Sequence, residues 1–170
     1  MTDVPMESGG VAIVRVDYAD PAHGDMLLAM LDAYACDPAG GGEPLSPPAR
    51  DALLPGLAAR PHAFSLLALR GGEPVGLVNC FEGFSTFAAR PLVNVHDLVV
   101  ASGHRGQRIG ERLLAAVEEE ARARGACKVT LEVLTGNMPA QRLYARTGFA
   151  GYELDPAMGQ ARLLQKWLDA

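Results

Sequence analysis

Leu98-Val99-Val100-Ala101-Ser102-Gly103-His104-Arg105-Gly106-Gln107-Arg108-Ile109-Gly110 is the stretch on which the fold turns. An apolar, β-branched strand runs into a basic turn rich in glycine, and the turn opens a helix. From Ile109 to Arg124 the spacing predicts the best helix of the chain, stopped by Gly125. Ile109, Leu113, Val117 and Ala121 form one apolar stripe along it. Glu118 with Arg122, and Glu120 with Arg124, stand at i,i+4 on the wet side. A helix start leaves several backbone N–H groups without partners, and a Ser, Thr, Asp or Asn usually caps them. No residue of those types lies in the five positions before Ile109. Arg105, Gly106, Gln107 and Arg108 stand there instead. Glycine allows a close backbone approach, and two arginines add charge to the positive helix end. That combination suits an external anion, pyrophosphate being the natural candidate, with a turn capped by water as the plainer alternative.

Outward from this segment, Val11 to Val16 reads as a first strand. Asp20-Pro21 supplies an N-cap and a first-turn proline for a helix to about Cys36, with Met26, Leu27, Met30, Leu31 and Tyr34 on its apolar side. A loop carrying Gly40-Gly41-Gly42 follows, either a connector or the mouth of an acceptor site. Ser46-Pro47 opens a second helix that ends before Pro61. Phe64 to Leu69 and Val75 to Phe84 flank Arg70-Gly71-Gly72-Glu73, a hairpin signal. Leu92 to Val100 is a strand, Cys127 to Leu134 another, and Pro139 to Arg146 a short helix. Phe149 to Tyr152 and Ala161 to Trp167 are expected to close the sheet. The order β-α-α-β-β-β-α-β-α-β-β predicts an α+β fold: a mostly antiparallel central sheet flanked by helices on both faces. A single domain over residues 11–168 is expected, preceded by a frayed polar tail at 1–10.

At 170 residues with 49% apolar side chains, the chain suffices for one buried core. A net charge of -5 argues against nucleic acid as a partner. Cys36, Cys80 and Cys127 are odd in number and lie far apart, without CxxC or a Cys/His cluster. They are read as reduced, mostly buried thiols, so neither a disulfide framework nor a metal site is expected. No apolar run approaches a membrane span, and no secretory signal opens the chain, so a cytoplasmic location is expected.

Arg105-Gly-Gln-Arg-Ile-Gly110 resembles motif A of the GNAT acyltransferase superfamily, Arg/Gln-x-x-Gly-x-Gly/Ala. Asn137-x-x-Ala140-x-x-Leu-Tyr144-x-x-x-Gly-Phe149 looks like that superfamily's second signature, in the right order and at the right separation. The resemblance covers roughly Val11 to Leu168 and implies acetyl-CoA as the acyl donor. Leu98, Val99 and Val100 would offer backbone groups to the pantetheine arm, where this strand parts from Lys128 to Leu134. Arg105, Gly106, Gln107, Arg108, Ile109 and Gly110 would hold the pyrophosphate. Asn137 would touch the pantetheine, and Tyr144 would point at the sulfur. The first motif glycine is Arg108 here; because the family's contacts are mainly backbone amides, arginine serves at this place if its φ is negative. Phe84-Ser-Thr-Phe87, followed by His96-Asp97-Leu98, resembles the diamine and polyamine acetyltransferases, with that branch's Glu replaced by His96.

An amine must be neutral to attack a thioester, and only about one alkylammonium in a thousand is neutral at pH 7. Tyr144 is the candidate acid for the leaving thiolate. For the base, His96 is the first candidate, since histidine titrates near working pH. Asp97 and Glu82 are the others, whereas Glu132 alternates with Leu131 and Val133 and is read as facing solvent. Strand alternation places His96 with Asn94 and Leu98, and Asp97 on the opposite side. The expected activity is direct acetyl transfer from acetyl-CoA to a primary amine of a small, polyamine-like or amino-acid-like molecule. A peptide or protein amine, or a non-catalytic acyl-CoA-binding module, is the alternative, and there is room for a homodimer. A mononucleotide-binding domain is excluded, because Gly-x-x-x-x-Gly-Lys-Ser/Thr is absent and Gly40-Gly41-Gly42 follows a helix.

Overall fold

In the computed structural model, which describes residues 10–152, 155, 157, 159 and 161–168, the chain forms two compact units that meet at Leu131/Glu132. The first holds β1 (Val11–Arg15), α1 (Pro21–Ala35), α2 (Pro47–Ala58), β2 (Ala63–Arg70), β3 (Glu73–Ser85), β4 (Arg90–Val100), α3 (Ile109–Ala123) and β5 (Val129–Leu131). Its sheet has the order β1-β2-β3-β4-β5, antiparallel throughout except for the last pair. A parallel neighbour requires a crossover, and α3 supplies it. The second unit contains α4 (Met138–Arg146). The α+β class and the mixed, mostly antiparallel sheet follow the expectation.

Local rules account for most boundaries. Asp20 caps α1, its carboxylate accepting from Ala22 N–H at 2.9 Å, and Ser46 caps α2 through Ala49 N–H. The β2–β3 hairpin turns on Gly71 and Gly72, both at positive φ (59° and 87°), which a two-residue turn of this hand demands. β2 and β3 are buried over consecutive residues because the sheet is covered on both sides. Leu67, Leu77 and Val99 pack with Leu27, Leu31 and Leu57 of α1 and α2. On the opposite face α3 buries Ile109, Leu113, Leu114 and Val117. A Cβ built on Gly76 would lie 3.0 Å from Leu113 and 3.1 Å from Ile109, so the start of α3 is seated where β3 has no side chain.

Several expectations change. Phe149–Tyr152 and the segment from Ala161 to Trp167 enter no ladder. A hairpin that pairs with nothing else is marginal, and Tyr152, Leu163 and Trp167 are exposed. The expected strand to Leu134 stops at Leu131, and a 3-10 turn at Ser102–His104 was not foreseen. Of the cysteines only Cys80 is buried; Cys36 is exposed and Cys127 half-buried. Burial pushes the Cys80 thiol up to about 12, leaving it inert. The expected tail falls largely outside the described residues.

Glu82 sits in a charged cluster and not in the lining of the cavity described below. Arg124 reaches it at 2.9 Å and Glu120 at 2.8 Å, while Arg15 reaches Glu120 at 2.6 Å. Both guanidinium groups lie over the Phe64 ring, Arg124 at 4.6 Å from its centroid. Partial burial raises the Glu120 carboxyl, but the two arginines outweigh it and hold the group below the usual carboxylate range. A lowered folded-state pKa gives stability that is present above the unfolded value and is lost as pH falls through the folded one.

Two stability measurements follow from this packing. Gly76→Ala should destabilise the fold by about 1–3 kcal/mol in urea unfolding, because the added methyl would press on the buried Leu113 and Ile109 side chains. An unchanged midpoint would show that α3 can shift without cost. Glu120→Gln should cost about 1 kcal/mol at pH 7. The gap to the parent should close below about pH 3, where the parent's carboxylate is also protonated. A gap independent of pH would mean that the cluster acts by packing alone.

Candidate active site

The antiparallel pairing of β3 with β4 slips by one residue where Asn79 faces Asp97 and Cys80 faces Val95. His96 is the extra residue. A bulge of this kind breaks strand alternation and lets consecutive side chains share a side. His96 and Asp97 therefore line the same cavity, contrary to the alternation expected from the sequence. This cavity, about 310 Å³, is walled by α1, the loop after it, α2, β3 and β4. Leu31, Leu45, Leu53, Leu57 and Phe81 make it mainly apolar, and Tyr34, Asn79, His96 and Asp97 are its polar groups. No lysine or arginine lines it.

Each polar group is held by its surroundings. The His96 ring stands edge-on to Phe81 with centroids 5.4 Å apart. Asp97 Oδ2 accepts from the Asn79 side-chain amide at 3.0 Å. Burial, then the negative charges of Asp97 and Asp37, raise the Tyr34 phenol, so it stays a neutral donor. Gly40 closes the mouth from the α1–α2 loop, its N–H bonded to Asp37 O at 2.8 Å.

Beyond His96 the β4 edge is open. Its ladder to β5 spans only Val93 to Val95, whereas β4 itself runs on to Val100. Leu98, Val99 and Val100 thus keep one side of their backbone outside any strand pairing. Immediately after them come the basic turn and the start of α3. Arg108 occupies the N-cap position without a side-chain capping bond, and the first helical bond runs from Arg112 N–H to Arg108 O. The amides of Ile109 and Gly110 precede that bond, as an anion-binding helix start requires.

The three polar side chains of this turn have different employment. Gln107 accepts from Arg70 Nη1 at 2.7 Å, and the same nitrogen lies 3.2 Å from His104 Nδ1. Arg105 bonds Val100 O and pairs with Asp37 at 2.9 Å. The Arg105 hydrogen bond holds the Asp37 carboxyl below the usual carboxylate range. Arg108 is exposed and makes no ion pair among the described residues. Its φ is +59°, so the negative φ that the sequence set as the condition for an arginine at this place is not met. The turn keeps the left-handed backbone that suits glycine and imposes it on an arginine.

Asn137 and Tyr144 belong to the second unit. Asn137 caps α4, its side-chain oxygen accepting from Ala140 N–H at 3.2 Å. Tyr144 packs edge-to-face against Phe149 at 5.8 Å, and Phe149 N–H returns to Tyr144 O. Glu132 is exposed. Asn79 and Tyr34 escaped the sequence reading. An asparagine inside an apolar strand was the available signal for the first, while Tyr34 was counted only as part of an apolar helix face.

Arg108→Gly separates backbone from side chain in this turn. Left-handed strain on a non-glycine residue is about 1–2 kcal/mol, and the flexible glycine returns part of it, so a net gain of about 0.5 kcal/mol is expected in thermal unfolding. CoA affinity, read by titration calorimetry, should fall less than about tenfold, the worth of one exposed charge. A hundredfold loss would make the guanidinium, not the amides, the principal anion holder.

Residues 27–149 match the family model described as Acetyltransferase (GNAT) family. The aminoalkylphosphonate N-acetyltransferase of Salmonella typhimurium is 39% identical over 89 residues, 52% of this chain and 58% of that protein. The streptothricin acetyltransferase of Streptomyces lavendulae is 41% identical over 80 residues, 47% of this chain and 42% of its own length. The chain thus aligns with about half the length of these curated relatives. The crystal structure of a probable acetyltransferase superposes with a TM-score of 0.76 at 22% identity, covering 93% of this chain and 99% of that one, which speaks for the fold. With the matched model spanning most of the chain, from α1 through α4, this protein belongs to the acetyltransferase (GNAT) family.

Proposed function

We propose that the protein transfers an acetyl group from acetyl-CoA to a primary amine of a small cationic molecule. The observation that carries this reading is the cavity on β4: an aspartate and a histidine in an apolar wall, with no basic residue, beside an open strand edge and a basic helix start. A carboxylate in such surroundings attracts a cation. An acceptor bearing a phosphonate, as the Salmonella relative's name implies, would find no positive partner in this lining.

In this reading the amides of Ile109 and Gly110, with Arg108 and Arg105, take the pyrophosphate of acetyl-CoA. Gly106 and Gln107 shape the turn. The backbone of Leu98, Val99 and Val100 takes the pantetheine arm, with Asn137 as a further contact. Asp37 must yield Arg105 if that guanidinium is to serve the cofactor. The acceptor enters the cavity from the α1–α2 loop. His96 removes a proton from its ammonium, directly or through water, and the neutral nitrogen attacks the thioester carbonyl. As the N–C bond forms, the C–S bond breaks, and CoA leaves as a thiolate that Tyr144 protonates. The thiolate, with a pKa around 8.5, is a good leaving group, so the acid matters less than the base.

The test is thiol release from acetyl-CoA against a panel of diamines, amino acids, aminoglycosides and aminoalkylphosphonates. Turnover is expected with cationic amines and little with phosphonates. His96→Gln should lower kcat/KM about 100-fold near neutrality and remove the low-pH limb of the rate profile. Tyr144→Phe should cost about tenfold in kcat, with CoA affinity nearly unchanged. Phosphonates preferred over diamines would refute the cationic reading; a retained low-pH limb in His96→Gln would move the base elsewhere.

A further inference from the structure

Ser65 and Asn79 are the only buried polar side chains among the described residues, at 0% and 3% exposure, and they touch each other. They belong to one chain of hydrogen bonds. Tyr18 Oη lies 2.9 Å from Ser65 Oγ, Ser65 donates to Asn79 Oδ1 at 2.6 Å, and Asn79 Nδ2 donates to Asp97 Oδ2 at 3.0 Å. The direction of every proton is determined. A carboxylate only accepts, so the Asn79 amide points its NH2 at Asp97 and its oxygen at Ser65. Ser65 has one proton and spends it on that oxygen, so Tyr18 must donate to Ser65. Three groups, one before α1, one on β2 and one on β3, donate in line toward one carboxylate on β4 at the cavity wall.

Apolar residues of similar shape would fill this site without the desolvation cost of an amide and a hydroxyl. What the chain achieves is orientation. One oxygen of Asp97 is tied down, and Oδ1 has no hydrogen bond among the described residues. The titratable groups around this carboxylate are His96 on β4, Tyr34 on α1 and Cys80 on β3, and none is a permanent cation. Among the described residues, no lysine or arginine pairs with Asp97.

We infer that the chain Tyr18–Ser65–Asn79 positions Asp97 as an anchor for a second, non-reacting cationic nitrogen, so that the preferred acceptors carry two. The argument rests on the proposed acetyl transfer. A nitrogen paired with a carboxylate is held protonated, and a protonated nitrogen cannot attack a thioester. The nitrogen at Asp97 is therefore not the nucleophile. The reacting amine belongs beside His96, the next residue of the same strand, so both nitrogens occupy one small cavity and the spacer between them is short. Asn79, Ser65 and Tyr18 are positioning residues; of these four, Asp97 is the one that holds the cationic nitrogen.

The test compares 1,4-diaminobutane with butylamine, two acceptors of similar length that differ by one charge. In the parent, kcat/KM should favour the diamine by about 10–100-fold, the worth of a charge-assisted hydrogen bond. Asn79→Leu should bring that ratio close to one, chiefly by raising the diamine's KM, with kcat altered far less. Tyr18→Phe keeps the ring and its packing, and should shift the ratio in the same direction by a few-fold, so the inference stays testable if Asn79→Leu fails to fold. A merely structural role would weaken both acceptors alike and leave the ratio intact, which would overturn the inference, as would a parent without diamine preference. Thermal shift separates this outcome from failure of acetyl transfer itself. The diamine alone should raise the parent's Tm more than butylamine does, and Asn79→Leu should abolish the difference whether or not acetyl-CoA is turned over. Equal shifts from the two amines in the parent would also overturn it.

Discussion

The one-residue slip between β3 and β4 is the constraint on which the site depends. Without it, strict alternation would send Asp97 and His96 to opposite faces of the sheet, one toward α3 and one toward α1. With it, both reach the cavity beneath α1 and α2, and Asn79 lies directly across the ladder from Asp97. The pairing of β4 with β5 ends at Val95, the residue before the slip, so the strand presents the polar groups of the cavity and an open backbone edge over the same few residues. A bulge adds twist as well as a residue, and added twist carries a strand away from its neighbour.

A second constraint places the basic turn against that edge. Gly76 leaves no side chain between β3 and the first turn of α3, which lets Ile109 and Leu113 settle onto the sheet. The turn at Gly106–Arg108 is drawn tight over the end of β4, and Arg70 from β2 supports it from below through Gln107 and His104. The apolar stripe of α3 and the amides at its start are thus aspects of one packing arrangement. Substituting arginine for the motif glycine has not relaxed this turn; Arg108 has taken the strained conformation instead.

Charge is divided between structure and site. Arg15 and Arg124 are committed to Glu120 and Glu82 over Phe64, and Arg105 is engaged by Asp37. Among the described residues, Arg108 makes no ion pair in the turn, and no lysine or arginine pairs with Asp97 in the cavity. In the proposed reaction, an anionic cofactor and a cationic acceptor are the complements of those two charges.

Elements whose cause is local were legible in the sequence: the capped starts of α1 and α2, the Gly71-Gly72 hairpin, the stripe of α3 and its missing cap. So was the family, because its two signatures are local patterns of residue type. The tertiary structure decided what local rules do not reach. A bulge is set by how two strands settle against the layers above and below them, so the side on which Asp97 points could not be counted from alternation. Glu82 read as a candidate base because partners 42 residues away are invisible to spacing, and Arg124 removes it from consideration. Asn79 read as one polar residue in an apolar strand, and only the meeting of β2, β3 and β4 reveals the donors lined up behind it. The closing strands were expected from pattern alone, but a strand exists only where a ladder accepts it, and the described residues of that segment have none. Sequence by itself determined the locally caused elements and the basic turn before α3; packing between elements determined the cavity, because its polar groups are distant in the chain and meet only across the sheet.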